Sequence, residues 1–126
     1  MSGASGELYE VEGVTTPDLQ TAYRSELNSG YRSLESGDLG EAFRHFERAH
    51  VLGQRRTRLH VGAHVAMVRV AWRRRDIREL AGQMTRILAA TLFSRVWVPE
   101  GNTGGANVSA FKPMQIPDDL QRILRQ

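Results

Sequence analysis

Cysteine is absent from this 126-residue chain, and lysine, histidine and long apolar runs are scarce. Without cysteine the protein can form neither disulfides nor thiolate metal sites, so any metal ion must use nitrogen, oxygen or thioether sulfur ligands. No apolar run approaches the roughly 20 residues of a membrane span, and the first residues lack the basic and apolar parts of a signal peptide. We therefore expect no membrane partner and a cytoplasmic location.

The net charge of +3 conceals a strong polarity along the chain. Residues 1–20 carry four acidic residues and no basic one, whereas residues 53–98 carry ten arginines against two acidic residues. Such a basic segment could neutralise phosphates, and the candidates are Arg55, Arg56, Arg58, Arg69 and Arg73. A solvated helix face is the more economical explanation, because no nucleic-acid motif is present. We therefore do not expect a nucleic-acid partner, and nucleic-acid binding ranks third among the functional interpretations of this sequence.

Capping signals and apolar periodicity predict four amphipathic helices and a short fifth one. Asp38 followed by Glu41, and Asp76 followed by Glu79, resemble capping boxes that begin a helix. Pro17 is expected in the first turn of an earlier helix, where its missing N–H is not needed. The predicted helices cover about 17–36, 38–53, 57–74 and 76–95, and Pro117 opens the last one.

The predicted fold is all-α, a four-helix array of two helical hairpins with an irregular C-terminal loop and a short last helix. Residues 1–15 are predicted to be a flexible acidic arm, and residues 16–126 a single helical domain that includes the C-terminal segment. The first hairpin, with Gly30 and Ala42 in sequence, looks like a tetratricopeptide unit. Since such units are usually stable only in about three or more copies, a closed bundle, a protein partner or a homo-oligomer is equally compatible.

The four histidines all fall within twenty residues of one another. His50 continues an apolar stripe on the second helix, and Glu47 precedes it by one turn. His60 and His64 share one face of the third helix, because residues four apart lie one above the other. A short connection makes these helices antiparallel neighbours, so the three imidazoles should converge. His45 lies off this face and is expected to point to solvent.

This set predicts one metal site with Glu47, His50, His60 and His64 as its ligands. Three imidazoles and a carboxylate suit Zn(II), with Fe(II) and Mn(II) as alternatives. Met67 lies one turn beyond His64, and its thioether leaves copper open. The competing interpretation is a hydrogen-bonded polar core without metal, with Glu47 and His50 as a surface pair.

Two functional interpretations rank ahead of nucleic-acid binding. The first is a metal carrier, sensor or structural metal domain, and the second is a metal-free helical-hairpin module that binds proteins. Whether the protein is an enzyme stays open, because three ligands with an open position would suit a hydrolytic metal centre. No convincing nucleophile or substrate pocket accompanies them.

The C-terminal segment after the fourth helix is rich in glycine and proline, which predicts an irregular loop of about fifteen residues. Long loops in small domains are often functional, so Asn102, Thr103 and Asn107 are noted. We favour a structural role for the loop, in which four apolar residues pack over the bundle: Trp97, Val98, Phe111 and Met114.

Read in order, ERAHVLGQ, His60 and His64, WRRRD and FSRVWVPEGNTGGANVSAFKPMQIP form a string that resembles a small bacterial family of unknown function, number 3703 among the domains of unknown function. The resemblance covers about residues 20–120. It implies a bacterial source and a single compact domain, and it carries over no activity and no catalytic residue.

Overall fold

Five α-helices make up the regular structure in the described parts of the chain. The computed structural model describes residues 17–93, 100–109 and 112–126, and within these ranges it holds helices and no strand. The helices are α1 (Leu19–Ser36), α2 (Leu39–Gly53), α3 (Thr57–Arg74), α4 (Ile77–Phe93) and α5 (Asp118–Leu124). The predicted all-α fold with a short last helix is confirmed.

Two of the predicted start signals form caps as expected. The carboxylate of Asp38 accepts a hydrogen bond from the backbone N–H of Glu41 at 3.0 Å, and that of Asp76 accepts one from the N–H of Glu79 at 2.9 Å. These side chains satisfy N–H groups that the first turn of a helix leaves without partners. Gly37 ends α1 with a φ of 86°, a left-handed conformation that glycine adopts without steric cost.

The start of α1 differs from the prediction, and the end of α2 shows why a glycine lies there. Asp18 caps α1 by accepting from the backbone N–H groups of Gln20 and Thr21, so Pro17 precedes the helix and is not in its first turn. Gly53 is the last residue of α2 and does not have a positive φ. A Cβ at Gly53 would lie 2.7 Å from the Cβ of Leu59, so the position requires glycine for close helix packing and not for a left-handed cap.

Helices α1 to α4 pack consecutively, each against the next, and α5 packs on α1 and α2. The contact between α1 and α2 is close at Gly30, where an added Cβ would lie 2.3 Å from the Phe46 ring. Two apolar clusters result, one towards α5 and one at the other end of the first three helices. Met67 is fully buried in the second cluster, packed with Phe46 and Val70.

Some of the predictions fall on residues outside the described ranges. These are the acidic arm and three of the four apolar residues assigned to the C-terminal segment, namely Trp97, Val98 and Phe111. The fourth, Met114, is half-buried. Among the helices of the described ranges, none combines the length and the apolar character needed to cross a bilayer.

Candidate metal centre

Three of the four histidines converge between α2 and α3. His50 lies in the last turn of α2, and His60 and His64 lie in the first half of α3. One ring nitrogen from each comes within 4.8 Å of the other two. The ring centroids are 4.5 to 4.9 Å apart, and all three side chains are buried. We call these three residues the histidine triad.

Hydrogen bonds from outside the triad fix two of its rings. The Nδ1 of His50 lies 2.8 Å from the backbone carbonyl oxygen of Asn102, and the Nδ1 of His64 lies 2.6 Å from the Oε1 of Gln83. The Gln83 amide is oriented by its Nε2, which donates to the carbonyl of Gly104 and to Glu79. Because both partner oxygens can only accept, each Nδ1 carries the proton and each Nε2 keeps its lone pair.

His60 differs from the other two members of the triad. Its Nδ1 is buried and has no hydrogen-bond partner. A buried polar atom without a partner costs about 1–3 kcal/mol, so native proteins contain few of them. The buried Nδ1 of His60 therefore carries a desolvation cost that no hydrogen bond offsets.

Burial keeps the triad uncharged at neutral pH. Desolvation lowers the pKa of His60 to about 4 and that of His64 to about 4, and it holds the pKa of His50 well below its usual range. Neighbouring imidazoles act in the same direction on His50 and His64. The neutral imidazole is the form that binds metal ions.

Two carboxylates contact the loop at residues 100–109, and one of them also contacts Gln83. Glu79 accepts the backbone N–H of Ala106 at 3.0 Å and the Nε2 of Gln83 at 2.6 Å. Burial, and then the charge of Glu79, raise the pKa of Glu47 to about 7, although Arg74 and a hydrogen bond with Thr103 oppose the shift. Glu47 is not among the residues whose ligand atoms meet within 4.8 Å. The structure thus brings together three of the four predicted ligands and leaves Glu47 outside that group.

The loop at residues 100–109 closes over the triad. Asn102 is buried, and its Nδ2 donates to the carbonyls of Ser109 and Lys112, both at 2.7 Å, while its Oδ1 accepts from the N–H of Gly104. Gly104 has a φ of 82°, and an added Cβ would lie 2.8 to 2.9 Å from three atoms of the His50 ring. The backbone therefore contacts the imidazole at a distance that only glycine permits.

A family model described as a protein of unknown function, DUF3703, matches residues 17–124. The chain belongs to this family. No curated protein and no solved structure matches the chain. The likeness of the α1–α2 hairpin of this DUF3703 protein to a tetratricopeptide unit therefore stays a prediction.

Sequence reasoning missed the outer partners of the triad in this DUF3703 protein. Glu79 was read as a capping residue and Gln83 was not singled out, yet both are buried and both belong to the hydrogen-bond network. Arg86 adds to it by donating to the carbonyls of Gly104 and Val108. The signal lay in the spacing, since Glu79, Gln83 and Arg86 put three polar side chains on one side of α4.

Three of the other residues singled out in the sequence have partners within the chain: His45, Arg55 and Arg69. The prediction that His45 points to solvent is wrong, because its side chain is largely buried and its Nδ1 lies 2.7 Å from the Glu26 carboxylate. It is nevertheless no part of the triad. Among the basic residues, Arg69 lies over the Tyr31 ring and Arg55 pairs with Glu100, so two of the five candidate phosphate contacts have partners within the chain.

Proposed function

We propose that this protein binds one divalent transition-metal ion through the histidine triad, with Zn(II) as the first candidate. The observation that carries the proposal is the convergence of three buried, uncharged imidazoles, His50, His60 and His64. Outer hydrogen bonds hold two of these rings with Nδ1 protonated, which is how metal-binding histidines are usually oriented.

The distances within the triad suit a small ion. Three atoms no more than 4.8 Å apart all lie within about 2.8 Å of a common point, and the usual Zn–N bond is about 2.0–2.1 Å. Each ring would therefore move inward by less than about 1 Å. Movements of this size are within the reach of small side-chain rotations.

Charges of both signs lie around the triad. The Arg86 guanidinium lowers the pKa of His50 and His64, whereas the repulsion between Glu47 and Glu79 adds to the effect of burial that raises the pKa of Glu47. A divalent ion would offset this repulsion. We propose that the carboxylate of Glu47, one turn before His50, either binds the ion as its fourth ligand or lies beside the bound ion.

The closed loop argues for a carrier, sensor or structural site and against an open catalytic one. Gly104 contacts the His50 ring. Asn102 holds the loop there, because its side chain accepts from the N–H of Gly104 and donates to the carbonyl of Ser109. Copper is the second candidate, because imidazole nitrogen suits it as well as zinc. Met67 is packed in the apolar core, and it is not needed for the proposed ligand set.

Metal titration of tag-free, chelator-treated protein tests the proposal. We expect one equivalent of Zn(II) per chain, with Cu(II), Fe(II) and Mn(II) titrated in parallel. His60→Ala should weaken binding by more than the roughly 10–100-fold that the loss of an outer partner costs, and Gln83→Ala should fall in that range. His45→Ala is the matched control, since it removes a histidine of α2 outside the triad.

Two results would contradict the proposal. Either none of the four ions binds, or His45→Ala weakens binding as much as His60→Ala does. The first result would favour the metal-free helical-hairpin module that binds proteins.

A further inference from the structure

Helix α4 is apolar on its outer face and polar on its inner face. Its buried residues are Glu79, Gln83 and Ala90. Five of its seven large apolar side chains are instead among the most exposed of the described residues: Ile77 79%, Met84 55%, Leu88 61%, Leu92 61% and Phe93 60%. The other two, Leu80 and Ile87, are half-buried. The chain therefore leaves most of the apolar surface of α4 uncovered, and a contiguous exposed apolar patch often marks a binding surface.

Four of these side chains form one stripe along α4. Ile77, Met84, Leu88 and Leu92 are separated by seven, four and four residues, the spacing of a helix that packs along another helix. We call these four residues the α4 stripe. Among the charged residues of α4, only Arg78 is exposed. The solvent side of the helix is therefore almost free of charge.

The exposed area matches the needs of a stable dimer. With about 200 Å² for a fully exposed large apolar side chain, the α4 stripe presents on the order of 500 Å². This area is towards the upper end of the roughly 300–600 Å² of the largest apolar patch on a typical monomer, and it is close to the apolar part of a standard interface, about 57% of the roughly 800 Å² that each partner buries.

The ends of the stripe differ in charge, and this selects an orientation. Arg78 lies in the first turn of α4, and the last turn has no basic residue. In an antiparallel pair each Arg78 would lie near the carbonyl end of the other helix, where a cation is favourable. In a parallel pair the two arginines would lie side by side. A two-fold axis near Met84 would make the two stripes complementary to each other.

We propose that two copies of this chain pair through antiparallel α4 helices, with the α4 stripe as the centre of a two-fold interface. The proposal does not depend on metal binding. It also gives α4 an apolar anchor, while its inner face supplies Gln83 and Glu79 to the neighbourhood of the triad.

Sedimentation velocity of the full, metal-free chain tests the pairing. We expect a dimer whose population follows protein concentration, and a monomer for Leu88→Glu. Ala89→Glu is the matched control, because it puts the same charge on the next residue, which is also exposed but lies off the stripe. Circular dichroism shows whether each variant is folded. A wild-type monomer at every concentration, or equal effects of the two substitutions, would overturn the proposal, and a complex with a different protein would replace it.

Disulfide trapping tests the orientation, and the absence of cysteine removes any background. Met84→Cys lies near the proposed axis and should cross-link to its own copy under mild oxidation. Ile77→Cys should cross-link poorly alone but well with a Leu92→Cys chain. Equal self-linking of Met84→Cys and Ile77→Cys would show a parallel pair and refute the antiparallel arrangement.

Discussion

Replacing His60 by leucine should stabilise the metal-free protein while it abolishes metal binding. His60 is buried with an Nδ1 that has no hydrogen-bond partner, so the folded chain bears the desolvation of that atom without compensation. Leucine fills a similar volume and has no polar atom. Replacing a residue that is retained for ligand binding can raise the stability of a protein, whereas replacing a residue that packs well in the core does not.

The magnitude follows from two contributions. An unsatisfied buried polar group costs about 1–3 kcal/mol, and leucine at this position would recover part of that at neutral pH. A second contribution appears in acid, because the pKa of His60 is about 4 in the folded chain and about 6.5 in the unfolded one. Between these values the unfolded chain binds a proton that the folded chain does not, so stability falls as the pH drops below about 6.5.

The assay is urea unfolding of chelator-treated protein at about pH 7.5 and about pH 5. At the higher pH, His60→Leu should raise the free energy of unfolding by roughly 1–2 kcal/mol. At the lower pH, the advantage should grow by roughly another 2 kcal/mol, the value of about 1.5 pKa units. His64→Leu is the matched control, and it should destabilise by about 1–3 kcal/mol at neutral pH because it leaves Gln83 Oε1 without its donor.

The outcome that refutes this reasoning is a loss of stability in His60→Leu comparable to that in His64→Leu. In that case the His60 ring contributes to packing as an ordinary core residue. Added Zn(II) supplies the complementary readout, since it should stabilise the wild type by mass action and leave His60→Leu unchanged.

Three further substitutions test single contacts. Gly104→Ala would put a Cβ 2.8 Å from the His50 ring at a positive φ, so we expect a loss of about 1–3 kcal/mol in thermal unfolding and weaker zinc binding by calorimetry. Glu47→Gln removes a carboxylate whose pKa is raised to about 7. Above that pH the free energy of unfolding of the metal-free protein should rise by roughly 1–2 kcal/mol after allowance for solvent screening, and this gain should vanish below about pH 4.5. The affinity for zinc should fall. Gly30→Ala would force a Cβ to 2.3 Å from Phe46 and should cost about 1–3 kcal/mol in urea unfolding with unchanged zinc affinity, and a change in affinity would show that the two regions are coupled.

Local patterns were sufficient to predict the α2–α3 hairpin and the triad. Asp38 begins α2 through its cap, the short connection after Gly53 reverses the chain, and the i, i+4 spacing aligns His60 with His64. Each of these rules acts over a few residues, and the prediction needed only two neighbouring helices. The convergence of the histidines was therefore within the reach of sequence reasoning.

The hydrogen-bond partners outside the triad could not be predicted from the sequence, because they depend on contacts between distant parts of the chain. Asn102 reaches His50 across fifty-two residues, and it does so through a backbone carbonyl that any residue possesses. The sequence also did not predict which side of α4 packs against the rest of the chain. Apolar periodicity locates the stripe of a helix, but it does not tell whether that stripe meets the core of the same chain or another molecule.

The state of His60 separates the two interpretations that the sequence left open. A metal-free polar core is stable only when its members satisfy one another, because each unpaired buried group costs as much as a good hydrogen bond contributes. His50 and His64 have such partners, and His60 Nδ1 has none. Three neutral rings packed together, with one nitrogen unpaired, therefore form a polar core whose hydrogen-bonding groups are not all satisfied. The unpaired Nδ1 of His60 is therefore the observation that favours the proposed metal site over a metal-free polar core.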